Sequence, residues 1–226
     1  MSGSPSKNAM GPRAVDRKEL SKASFTKTTK WPRTDRRVSR LESALRHRQP
    51  DLAVVLENVH DLHNVSAVMR TCDAVGIQTL HLINSYDGLP ENELARRVSA
   101  GTAKWLDCVR WQSVEDCYGS LRDEGMRVLA TALTETAHSI FEQDFSQPAA
   151  VVFGNEMRGL SDEAISQADG GVYIPMVGMV QSLNISVSCA VTLYEVHRQR
   201  LAAGAYDSPR LSQDIIDATL EQWLKR

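Results

Sequence analysis

Residues 174–200 read IPMVGMVQSLNISVSCAVTLYEVHRQR, and the junction inside this stretch decides the fold. A short β-favouring run, Val172, Tyr173 and Ile174, meets Pro175, which cannot donate to a sheet ladder, so a strand ends there. A loop containing Gly178 follows. Ser182 or Asn184 can then cap a helix by accepting from one of its first free N–H groups. The next residues (Ile185, Val187, Cys189, Ala190, Val191, Leu193, Tyr194, Val196) are apolar nearly all the way round, which predicts a buried helix. His197, Arg198 and Arg200 stand near its carbonyl end, where cations are favoured and an anionic ligand could reach them.

Working outward, the same alternation recurs. LAVVLE (52–57), IQTLHLIN (77–84), MRVLATAL (126–133) and AVVFG (150–154) read as buried strands. Between them, Val65, Val68, Met69 and Cys72 fall at helical spacing, residues 113–124 predict a second helix, and Ser161 with Asp162 and Glu163 starts a third. Residues 134–148 are irregular or hold a short helix. Strands alternating with helices predict an α/β fold with a mainly parallel sheet and helices on both faces. Asn64 stands where the first of these helices would be capped, and Arg70 falls on that helix's polar side. Gly154 and Gly159 permit positive φ around GNEMRGLS, and Glu156 sits on a loop at the carboxyl end of a buried strand, where open α/β sheets place ligands.

The two ends differ from this centre. Residues 1–50 carry 13 of the 26 Lys and Arg but only 4 of the 28 Asp and Glu, a surplus of nine positive charges; the net charge of −2 leaves the other 176 residues at −11. Residues 1–32 lack apolar periodicity and read as a disordered basic tail. Residues 33–50 form a basic amphipathic helix: Val38, Leu41 and Leu45 share a face, while Arg36, Arg37, Arg40, Arg46 and Arg48 occupy the others. Such a helix can grip an RNA backbone through bidentate arginine–phosphate pairs, dock on the domain, or do both. The 206–226 extension repeats Leu211, Ile215, Ile216, Leu220 and Trp223, a stripe that must cover its own core or a partner subunit, with the dimer or its flank the expected place. The absence of a long apolar run or a secretion signal leads to a soluble, cytoplasmic expectation. Cys72, Cys108, Cys117 and Cys189 show no CxxC pairing, so buried thiols are expected rather than a metal site or disulfide framework.

Three separated segments, NVSAVMR (64–70), VVFGNEMRGLS (151–161) and IPMVGMVQSLNISVS (174–188), resemble in order the three motifs of the SpoU-type RNA ribose 2′-O-methyltransferases of the SPOUT superfamily. The likeness runs from about Arg33 to about Tyr206, and its lead-in is most similar to the tRNA guanosine branch. It implies a C-terminal trefoil knot, which nothing in the periodicity predicts and general topology rules disfavour. The knotted domain would span 51–205. The resemblance also implies a homodimer, S-adenosylmethionine as methyl donor, no metal, and tRNA as partner, with the D-loop guanosine at position 18 as target. Carried over by motif, Thr131, Gly154, Ile174, Met176 and Leu183 would hold the donor. Arg70 would be catalytic, supported by Asn64, Glu156, Ser182 and Asn184. Arg36, Arg37, His63, Arg198 and Arg200 would contact RNA, and residues 96–108, with Arg96 and Arg97, would form an RNA-facing loop. The competing readings are a 2′-O-methyltransferase of rRNA or another tRNA position, and a non-catalytic RNA-binding module on the same fold. A nucleotide-dependent dehydrogenase ranks lower, because no GxGxxG follows the first strand.

Overall fold

The computed structural model describes residues 34–84 and 104–226, so most of the expected 96–108 loop and the 1–32 tail lie outside the described residues. The strands are β1 (Leu52–Glu57), β2 (Thr79–Ile83), β3 (Asp107–Trp111), β4 (Arg127–Thr131), β5 (His138–Ser139), β6 (Ala149–Phe153) and β7 (Gly170–Tyr173). They form one sheet in the order β3-β2-β1-β6-β4-β7-β5, and every neighbouring pair is parallel. The helices are α1 (Asp35–Arg46), α2 (Leu62–Ala74), α3 (Val114–Asp123), α4 (Asp162–Ser166), α5 (Ile185–Ala202) and α6 (Gln213–Lys225).

Side-chain alternation along β1 shows how the layers form. Leu52, Val54 and Leu56 enter one core with Val65, Val68, Met69 and Cys72 of α2 and with Ile185, Cys189, Leu193 and Val196 of α5. Ala53 and Val55 point the other way, into a core with Val114, Cys117, Tyr118 and Leu121 of α3 and Ala164 of α4. A strand covered on both faces needs no polar alternation, which is why the central strands are legible as apolar runs. β3 lacks such a run. At the sheet edge, DCVRW is half exposed, so its sequence does not announce a strand. The two-residue β5 lies within 134–148, otherwise turns and irregular chain.

Three expectations need correction, and the buried side of the α6 stripe shows what it covers. Asn64 is not the cap of α2: the helix begins earlier, and the Asp61 carboxylate accepts from the His63 N–H at 2.8 Å. α5 is capped by Asn184, but it is not buried all round, since Val187, Val191 and Tyr194 are exposed on one stripe. α6 packs on its own chain: Ile216 and Trp223 are buried with Leu45 of α1, and Trp105 packs against Trp223 with ring centres 5.1 Å apart and the rings tilted by 59°. Arg48 and Arg200 are buried and cannot present their charge to a phosphate. Arg48 donates to the Ile77 carbonyl at 2.7 Å, to Asp73 at 2.6 Å and to the Trp105 carbonyl at 2.9 Å. Arg200 donates to Asp51 at 2.7 Å, to Gln49 at 3.1 Å and to the Phe145 and Gln147 carbonyls at 3.1 and 3.0 Å. All five guanidinium donors of Arg200 are spent on the Asp51 and Gln49 side chains and the Asp51, Phe145 and Gln147 carbonyls, whereas Arg48 uses its two terminal nitrogens.

Candidate active site

The chain leaves β4, β6 and β7 at neighbouring carboxyl ends, and the loops that follow enclose a cleft of about 520 Å³. This is where open α/β sheets place ligands, and the volume suits a small organic molecule. Thr131 stands at the end of β4, Gly154 and Glu156 follow β6, and Ile174, Met176, Ser182 and Leu183 follow β7; all seven line the cleft. Segments far apart in sequence meet because β6 lies between β1 and β4, while β7 pairs with the other side of β4.

The loop after β6 is built to hold its shape. Asn155 and Gly159 exchange backbone hydrogen bonds at 3.0 and 2.8 Å, and the Asn155 side-chain oxygen accepts from the Met157 and Arg158 N–H groups. Its amide donates to the Asn58 carbonyl at 2.9 Å, tying the loop to the end of β1. Gly159 has φ +69°, which a side chain would resist, and Gly154 lies so close to Gly159 and Leu160 that an added Cβ would come within 2.3 Å of their backbone. Behind the loop, the buried Glu57 accepts from the Ser161 N–H at 2.9 Å and from its hydroxyl at 2.5 Å, while Ser161 Oγ accepts from Ala164 N and caps α4.

Three of the expected catalytic residues are linked by side chain. Asn184 Nδ2 donates to Asn64 Oδ1 at 3.2 Å, and Asn64 Nδ2 donates to Glu156 Oε1 at 2.6 Å. Asn184 Oδ1 meanwhile accepts from the Ser186 N–H and hydroxyl at the start of α5. The chain of bonds joins the first turn of α2, the loop after β6 and the first turn of α5. Arg70 does not belong to the cleft wall of its own chain; it is exposed on α2, one face with His63 seven residues earlier. Among the expected RNA contacts, Arg36 is exposed and Arg37 partly so on α1. Arg198 is mostly exposed but clamped by Glu195 at 2.8 and 2.7 Å, and Arg200 is withdrawn into the core.

The mouth and the floor of the cleft differ. Leu133, Met157 and Met176 expose apolar surface at its edge, where Arg158 also stands, whereas Ile140, Phe153, Val172 and Ile185 form a buried floor. Sequence reasoning missed Asn155, Arg158, Glu57 and Thr192. The first two flank Glu156, so adjacency was the available signal; Glu57 and Thr192 sit inside apolar runs that read as plain core. Among the described residues, no three His, Cys, Asp or Glu side chains gather as metal ligands.

Comparison with known proteins gives a consistent picture. Residues 51–194 match the model of the SpoU rRNA Methylase family. A tRNA (guanosine(18)-2′-O)-methyltransferase of Thermus thermophilus is 48% identical over 195 residues, covering 86% of this chain and 98% of that protein. A solved A. aeolicus TrmH/SpoU tRNA modifying enzyme superposes with a TM-score of 0.74 at 35% identity, covering 84% of this chain and 95% of the other. The SpoU methyltransferase AviRb of Streptomyces viridochromogenes, solved in complex with the cofactor AdoMet, superposes with a TM-score of 0.58 at 28% identity, over 70% and 59% of the two chains.

Proposed function

Because this chain belongs to the SpoU methylase family, we infer that it is an S-adenosylmethionine-dependent methyltransferase acting on the ribose 2′-oxygen of the D-loop guanosine at tRNA position 18. The observation that carries the reading is the cleft at the ends of β4, β6 and β7, lined together by Thr131, Gly154, Glu156, Ile174, Met176, Ser182 and Leu183. Identity of 48% across nearly the full length of a guanosine-18 enzyme favours tRNA over rRNA.

The residues present fit the donor. An apolar floor receives a flat ring, and Gly154 lets the loop after β6 pack against its own Gly159–Leu160 backbone at the cleft wall. Thr131, Gly154, Ile174, Met176 and Leu183 would hold it. When bound, S-adenosylmethionine supplies a methyl on a positively charged sulfur, open to attack by oxygen. The protein's task is to align the ribose hydroxyl with that methyl and to stabilise charge growing on the oxygen. Arg70 suits the second task as a permanent cation, and for the same reason it is a poor proton acceptor. Asn64, Glu156, Ser182 and Asn184 shape the mouth. Arg36, Arg37, His63 and Arg198 supply phosphate contacts, Arg198 by exchanging Glu195 for RNA.

The reading extends to topology and assembly. The chain folds as a knotted domain over 51–205 with a C-terminal trefoil knot, flanked by the 33–50 and 206–226 helices, and works in the cytoplasm as a homodimer. Exposed Val187, Val191 and Tyr194 on α5 favour a second copy, and Arg70 stands on α2, which packs beside α5, so an interface formed there brings it toward substrate shared between copies. The test is methyl transfer from labelled donor to tRNA, with the modified nucleotide mapped. Label at guanosine 18 is expected, with Arg70→Ala losing about a hundredfold or more in turnover at saturating tRNA. Label confined to rRNA, or near-normal turnover by the variant, refutes the target or the role of Arg70 respectively.

A further inference from the structure

Thr192 is the buried polar group of the cleft that the fold leaves unexplained. It lies in the middle of α5, is fully buried and lines the cleft; its Oγ1 has no hydrogen-bond partner among the described residues. A threonine inside a helix can return its hydroxyl to a carbonyl one turn back, and this one does not. Two other hydroxyls lining the cleft already have acceptors: Thr131 Oγ1 donates to the Val152 carbonyl at 2.8 Å, and Ser188 Oγ reaches the Leu183 carbonyl at 3.5 Å. The floor it shares is apolar, formed by Ile140, Phe153, Val172 and Ile185. A sealed hydroxyl without a partner costs free energy unless something arrives to satisfy it. What fits is a flat, mostly apolar ring bearing polar atoms on its edge.

Resting on the donor-binding reading of this cleft, we propose that Thr192 recognises the adenine of the methyl donor, its hydroxyl bonding a polar atom on the ring edge while the apolar floor packs against the ring face. Thr192 is then a binding residue for the adenosine half of the donor, with no part in the chemistry at the sulfur. It also makes a two-sided prediction: the hydroxyl is a liability in the free protein and an asset in the complex.

Thr192→Val keeps the shape and deletes the hydroxyl; Thr192→Ser keeps the hydroxyl. Calorimetric titration of each variant and of the natural chain with S-adenosylhomocysteine, and separately with 5′-methylthioadenosine, which retains adenosine but lacks the amino acid, reads the contact directly. Thr192→Val is expected to weaken both ligands by about five- to twentyfold. Thr192→Ser should stay within about threefold, and the ligand-free Thr192→Val protein should melt no lower than the natural chain. Unchanged binding by Thr192→Val overturns the proposal and makes the hydroxyl's partner a buried water. A penalty seen with S-adenosylhomocysteine alone overturns it by moving the contact to the amino acid half, and a penalty matched by a lower melting temperature overturns it as packing damage. If the natural chain binds neither ligand, the donor reading of the cleft fails first.

Discussion

Asn64 uses its two amide functions in opposite directions, accepting from Asn184 and donating to Glu156, so one side chain sets the relation between three segments that approach the cleft mouth. These bonds are exposed, and their net worth to stability is about 1 kcal/mol or less. Their value is positional, because misalignment at a reacting centre is far more costly than the lost contact itself. Asn64→Ala is therefore expected to keep its melting temperature within a few degrees while turnover with saturating tRNA and donor falls about tenfold or more. A variant that turns over normally would show that the linkage is incidental. Gly154→Ala should behave differently, because a Cβ there meets the Gly159 and Leu160 backbone at 2.3 Å and forces the loop to move. A loss of about 1–3 kcal/mol in urea unfolding together with weakened S-adenosylhomocysteine binding is expected; wild-type values of both would mean that the loop yields freely.

At the scale of elements, α4 is only five residues long and depends on its start. Ser161 caps that start and also bonds the buried Glu57, so Ser161→Ala removes the cap and one of the partners of a buried carboxylate together. The expected cost is about 2–3 kcal/mol in urea unfolding, and a loss below about 0.5 kcal/mol would mean that Glu57 finds another donor. The longer α5 carries a different tension, since one stripe faces the core while Val187, Val191 and Tyr194 face outward. On the proposed pairing of two copies through α5, Val191→Asp leaves the core stripe intact and should yield a folded monomer by sedimentation with little methyl transfer, and sedimentation of the natural chain as a monomer would overturn that pairing. Full activity from such a monomer would separate assembly from catalysis.

Across the whole molecule, the sheet edge sets a pH response. His81 of β2 is buried, which lowers its pKa from 6.5 to about 4, and its Nδ1 accepts the Trp111 indole N–H of β3 at 3.0 Å. The folded chain holds this ring neutral while the unfolded chain takes up a proton below 6.5, so the contribution is complete above pH 6.5 and is lost as pH falls toward 4. Stability is expected to fall by about 2–3 kcal/mol across that window through this one group. His81→Asn should flatten the corresponding part of the pH profile, and an unaltered profile would assign the acid sensitivity to carboxylates instead.

Read alone, the chain determined its layer architecture, because strands buried on both faces must be apolar runs and the helices beside them must repeat at helical spacing. The three motif segments were legible only through their resemblance to the SpoU-type enzymes, since an Asn at a helix start or a Glu on a loop is by itself an ordinary local feature. Tertiary structure decided what locality cannot carry. Asp61 rather than Asn64 caps α2, which releases the Asn64 amide to bridge the motifs. Arg48 and Arg200 look like surface cations until distant carbonyls and carboxylates close around them. Thr192 looks like core until the cleft is assembled, and the partner of a stripe such as that on α6 depends on which surfaces the fold has already used. The physical reason is common to all of these: a residue's spacing fixes the direction of its side chain relative to its own element, whereas its neighbours come from other elements and exist only once the chain has folded back.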